Sequence, residues 1–168
     1  MRHRPLVLAM LGGSVLLLGM LVYLTDRSAS HALLMPTMPR LDLWAGQPVF
    51  GAIGQWLPSF VHPLAFSLLN VAALPAHSTP AAPRYGVCAA WCAVNLLFEL
   101  GQHAAIREPL AAALLDLPGR TPPVRWLASY FLHGTFDVGD LIAALLGALA
   151  AAVVLHLVQP QPERHHAA

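Results

Sequence analysis

Four stretches of the chain are apolar for long enough to cross a bilayer, and polar or proline-rich segments separate them. The first runs from Pro5 to about Leu24 without a charge and follows Arg2, His3 and Arg4. About 20 apolar residues in a helix span the hydrocarbon of a membrane. A cleaved signal peptide is the rival reading, with Ser28-Ala29-Ser30 as a small-residue site, but its apolar run is usually only about 7–15 residues. The second stretch covers about residues 54–74 and contains Pro58 and Pro63. Proline is tolerated in a first helical turn, so the span is expected to open near Pro58. The third runs over 85–102 and the fourth over 137–158, ahead of a polar tail at 159–168.

The connections divide by length. Thr25 to Val49 is long, with Asp26, Arg27, Arg40 and Asp42 beside Pro36, Pro39 and Pro48, and with Trp44 ahead of Trp56 as headgroup-level aromatics. Pro75 to Arg84 is short and reads as a tight turn between antiparallel spans. His103 to Phe136 is long again and contains two amphipathic pieces, 107–116 and 124–132. Neither piece can span a bilayer, and both suit its interface. The pattern predicts an all-α integral membrane protein, a single domain built as a four-helix transmembrane bundle. It has two extracytoplasmic loops, the second carrying short interfacial helices.

Composition agrees with that pattern. Hydrophobic residues make up 57% and charged residues 10% of the 168 residues, against about 25% charged in a soluble domain. Mean hydropathy is +0.62. A net charge of +1 excludes a basic field for nucleic acid. The Ala, Pro and Arg bias, with no Lys, looks like a GC-rich bacterial coding sequence, and with the apolar spans it makes a bacterial inner membrane the expected location. Arg2, Arg4, Arg84 and Arg164 mark one side, and the positive-inside rule puts both termini in the cytoplasm.

Polar residues inside these spans are few and patterned. Cys88, Cys92, Asn95, Glu99 and Gln102 form one narrow face of the third span. Lipid would reject Asn95 and Glu99, so that face looks into the bundle. The two thiols read as small buried apolar residues, and two alone do not make a metal site. Asp140, Ala144, Gly147 and Ala151 share a face of the fourth span, and small residues at that spacing, Ala144, Gly147 and Ala151, let another helix approach closely. Connectivity brings the end of the third span to the start of the fourth and of the second. The expected cluster is therefore His62, Asn95, Glu99, Gln102, Asp137 and Asp140 near the outer surface. Bland roles compete throughout. Asp137 reads equally well as a helix N-cap with Asp140 at the third helical position. His62 could simply be a packed histidine, and Glu99 could be a structural hydrogen-bond partner. No metal or cofactor is expected, and His165 and His166 read as part of a solvated tail.

At these residues the chain resembles the VanZ-like family of small bacterial membrane proteins. Leu-Pro-Ser-Phe-Val-His-Pro-Leu-Ala-Phe-Ser-Leu-Leu at 57–69 is similar to the family's second-helix stretch, in which a histidine precedes an aromatic by one turn, here His62 and Phe66. Phe-Glu-Leu-Gly-Gln at 98–102 resembles its Glu-x-x-Gln. Gly-Thr-Phe-Asp-Val-Gly-Asp-Leu-Ile-Ala-Ala-Leu-Leu-Gly-Ala at 134–148 resembles its Arg-x-Phe-Asp-x-x-Asp-Leu-x-x-Asn-x-x-Gly-Ala. On that match Glu99, Gln102, Asp137 and Asp140 are the signature polar residues. The family's arginine ahead of Phe-Asp and its asparagine are both missing, the asparagine's place being taken by Ala144. Arg107, Arg120 and Arg125 in the long loop are the candidates to supply the lost cation.

The resemblance leaves the biochemical activity open, and the first reading is binding of an envelope lipid or a glycopeptide-related component through the outer polar cluster. Two other classes compete with it. One is a membrane-embedded enzyme acting on a lipid-linked substrate, with Glu99 or His62 as base and Asp140 as acid partner. The other is a subunit packing into a larger membrane complex through the Ala144, Gly147, Ala151 face. The expected partners are membrane lipid and a membrane protein.

Overall fold

The computed structural model describes residues 3–26, 47–74, 81–119 and 121–158. Among these residues it is all-helical, with α1 His3–Thr25, α2 Ile53–Ala73, α3 Ala81–Gly101, α4 Arg107–Leu115, α5 Pro122–His133 and α6 Val138–Val158. Three of them, α1, α2 and α6, are long and apolar enough to cross a membrane. Helix α3 has the length of α2 and α6 but carries Arg84, Asn95 and Glu99. Arg2, Arg40, Trp44, Arg120, Arg164, His165 and His166 lie outside the described residues, as does most of each connection at 27–46 and 75–80.

Two boundaries differ from the sequence reading. Helix α2 begins at Ile53, so Pro58 and Pro63 both lie inside it rather than at its first turn. Each ring removes the amide that would reach the carbonyl four residues back, at Gly54 and Ser59. Both prolines are buried, and Pro63 lies against Gly147 of α6. Helix α3 begins at Ala81, inside the stretch read as connector, with Pro83 in its first turn where proline lacks nothing the helix needs. The amphipathic pieces of the long connection are the short helices α4 and α5, packed against each other.

Helix α2 is central and packs on α1, α6 and α3, while α3 also packs on α6. Close approach needs small residues at the crossings. A Cβ on Gly12 of α1 would sit 3.1 Å from the Ala65 carbonyl oxygen, and one on Gly19 would sit 2.7 Å from Val61 Cγ1. On α6, a Cβ on Gly147 would run into the Phe60 carbonyl oxygen, and Ala144 and Ala151 are buried on the same face.

The bundle has two unlike ends. Leu8, Leu64, Leu68, Val71, Cys88, Ala151 and Leu155 form one apolar core, drawn from the first turns of α1 and α3 and the last turns of α2 and α6. Cys88 and Cys92 are both free thiols. The opposite end, where α1 and α3 finish and α2 and α6 begin, holds the polar residues. Around the outside, Leu17, Leu146, Leu149 and Leu157 stand exposed, as lipid-facing residues of a membrane bundle do.

Candidate functional site

A cavity of about 1140 Å³ opens at the polar end. Its lining comes from every helix except α4, and it includes His62, Asn95, Glu99, Gln102, Asp137 and Asp140. The six come from three separate segments of sequence, and Tyr23 and Asp26 at the end of α1 add a fourth to the lining.

The walls follow from local structure. Asn95 and Glu99 on α3 and Gln102 just past its end follow one another by about a turn and line the cavity, with Glu99 8% and Gln102 7% exposed. The Asn95 amide donates to the Trp91 carbonyl at 2.8 Å, which satisfies one polar group within its own helix. Gln102 Nε2 donates to the Tyr130 hydroxyl at 2.8 Å and ties the end of α3 to α5. Phe98 packs on Tyr130 and Phe131, and Phe131 fills the space a side chain would take at Gly101. These contacts set the α4–α5 pair over the cavity, with Ser129, Tyr130 and His133 on its lining. Burial, aided by the nearby Tyr23 and Glu99, pushes the Tyr130 phenol up to about 12, so it stays a neutral hydrogen-bonding group.

The start of α6 explains both aspartates. Asp137 Oδ1 accepts the Gly139 amide at 2.7 Å, an N-cap bond that occupies one of the orphan donors of a helix start. Its other oxygen accepts the Trp56 indole N–H at 2.9 Å. Those two bonds, the indole first, hold the Asp137 carboxyl below the usual carboxylate range. Glu99 Oε1 accepts the Asp137 amide at 2.6 Å, so a carboxylate from α3 caps the α6 terminus, where the helix dipole favours negative charge. Asp140 reaches across to α2 and accepts the Ser59 hydroxyl at 2.5 Å. The capping and clustering roles are therefore combined, since Asp137 and Glu99 cap α6 and also line the cavity.

Asp26 does the same work at the end of α1. Its two oxygens accept the Val49 and Phe50 amides at 2.8 Å each, which fixes the entry to α2 against the exit of α1. Tyr23 and His62 of the lining begin a file of stacked rings that leaves the cavity through Phe66 to Trp91, with centroids 6.4, 5.9 and 4.6 Å apart.

Sequence alone does not single out several of these residues. Trp56 reads there as a headgroup anchor, while Ser59, Tyr130 and Asp26 carry no site assignment. Ser59 has a readable signal, since it lies three residues before His62 and shares its helix face. The Trp56–Asp137 and Gln102–Tyr130 pairs join distant segments and leave no local mark. Arg107 and Arg125, expected to neutralise the aspartates, do not line the cavity. They sit on α4 and α5, and Arg125 is exposed. Among the described residues no three His, Cys, Asp or Glu side chains converge to hold a metal ion. Comparison with protein-family models, curated proteins and solved structures returns no match.

Proposed function

We propose that this chain is a VanZ-like inner-membrane protein in which α1, α2, α3 and α6 all span the bilayer and the cavity binds the polar headgroup of an envelope lipid or a related envelope component. One observation carries this reading. The polar residues that mark three separated motifs, His62, Glu99 with Gln102, and Asp137 with Asp140, all line one cavity at one end of an apolar bundle. A span that carries a buried carboxylate is expensive in lipid and is a functional candidate for that reason. At about 1140 Å³ the cavity is just above the top of the roughly 300–1,000 Å³ typical of small-molecule sites. Binding without turnover fits the chemistry, because Glu99 and Asp140 already accept structural donors.

The test uses the full chain in lipid nanodiscs, with mass spectrometry of what co-purifies. Glu99→Gln keeps an oxygen for the Asp137 amide, and His62→Phe keeps the ring stack, so both variants should insert and melt like the parent. The expected result is about tenfold less of one defined co-purifying component in each, roughly 1.4 kcal/mol of binding. Unchanged retention in both would remove the cavity as a binding site.

A further inference from the structure

Helix α2 is the most buried of the three apolar helices, yet one of its faces keeps some exposure. Below its first turns, the side chains that keep some exposure include a single stripe of His62, Phe66, Leu69, Asn70 and Ala73, at the three- and four-residue spacing of one helix face. His62 is a wall of the cavity, so the stripe begins inside the polar site and leaves it toward the apolar end. Its neighbours flank it on both sides. Tyr23 of α1 stacks on His62, the Gly12 turn of α1 lies against Leu69, and Trp91 of α3 stacks on Phe66. Among the described residues, helices α1 and α3 each pack on α2 but share no extended contact with each other. The stripe is therefore the floor of a groove between them, apolar and aromatic, continuous at one end with the cavity.

Length decides what fits this groove. From His62 to Ala73 the helix rises about 16 Å, close to half of the roughly 30 Å hydrocarbon thickness. That is the reach of one acyl chain in a single leaflet. We infer that the groove between α1 and α3 holds one acyl chain of the same lipid whose headgroup occupies the cavity, with the Phe66 and Trp91 rings as its platform. This rests on the headgroup reading above and adds the tail to it. The ligand is then a membrane lipid, rather than a soluble envelope fragment. Phe66 is stacked between His62 and Trp91, and both Phe66 and Trp91 keep part of their rigid apolar surface exposed. Asn70 donates to the Phe66 carbonyl at 2.9 Å, so its amide is satisfied locally at the groove edge.

The experiment uses the full chain in vesicles of phosphatidylethanolamine and phosphatidylglycerol, each spiked with the same lipid bearing a diazirine at mid-chain. Irradiation and peptide mapping then read where chains lie. Labelling of Phe66, Leu69 and Trp91 is expected to exceed that of Leu146 and Leu149, on the outward face of α6, by about tenfold. Asn70→Trp, a bulky change at an exposed groove position, should abolish the excess. In the same variant the headgroup-only probes glycerophosphoethanolamine or glycerophosphoglycerol should still raise the melting temperature as in the parent. Even labelling of the stripe and α6, with the headgroup response intact, would overturn the tail site and leave the headgroup reading standing. Crosslinking of the stripe to a second protein copy would overturn it in the same way. If neither headgroup probe stabilises the parent chain, the headgroup reading falls, and this inference falls with it.

Discussion

Asp137 and Glu99 illustrate how a few polar residues serve structure and site together. In a bilayer, the unsatisfied amides at a helix start must find acceptors within the protein. Glu99 and Asp137 provide them for α6, and the same carboxylates form the cavity floor. The low pKa of Asp137 has a definite sign for stability. Its contribution is present above the ordinary carboxylate value of about 3.9 and is lost as pH falls through the lowered folded value. Trp56→Phe removes the largest cause of that lowering. The variant should melt lower at neutral pH by about 0.5 kcal/mol, because the bond is solvent-exposed, and the share of its stability lost on acidification should be smaller than in the parent. Thermal melts in micelles from pH 7 downward would check both, and superimposable profiles would show the indole bond to be idle. On the alkaline side, the raised Tyr130 phenol predicts falling stability from about pH 10 toward its own value of about 12.

At the scale of elements, glycine position separates contact from open surface. Gly147 meets the α2 backbone at Phe60, which cannot move aside as a flexible side chain would. Gly147→Ala should push α2 and α6 apart and cost about 1–3 kcal/mol. At Gly13, one residue from the α1–α2 crossing, an added Cβ would meet nothing within 4 Å. Gly13→Ala should be neutral or should stabilise by up to about 1 kcal/mol, because alanine restricts the unfolded chain and favours the helix. Melting the two variants side by side tests the crossing directly. The small-residue face at Ala144, Gly147 and Ala151 is readable from its spacing. Gly12 and Gly19 are not, because an apolar helix with glycine throughout shows no contrast between its faces. The starts of α2 and α3 depart from the sequence reading for a related reason. Proline reads as a boundary in sequence, yet Pro58 and Pro63 both lie buried within one helix.

Across the whole molecule, the apolar runs make the helices legible, and the turn from α3 to α6 through α4 and α5 makes the cluster legible. What stays hidden is the tie from α2 to α6, through Trp56 to Asp137 and Ser59 to Asp140, which links residues 81 apart in sequence. No local pattern encodes such a pairing. The aromatic file from Tyr23 to Trp91 is hidden for the same reason, since its members come from three helices. Together these contacts give a bundle that is apolar at one end and polar at the other, and its function as proposed requires the polar end to lie at one face of a membrane.

That requirement depends most on α3, which has the length of a span but a diluted apolar character. Single cysteines at Gly86, His103 and Thr135, in a chain whose Cys88 and Cys92 are replaced by alanine, can be labelled with a membrane-impermeant maleimide in sealed vesicles of either orientation. Positions 103 and 135 should label from one side and position 86 from the other. Labelling of 86 and 103 from the same side would mean that α3 does not cross, and a four-span bundle with its cavity at one face could not stand.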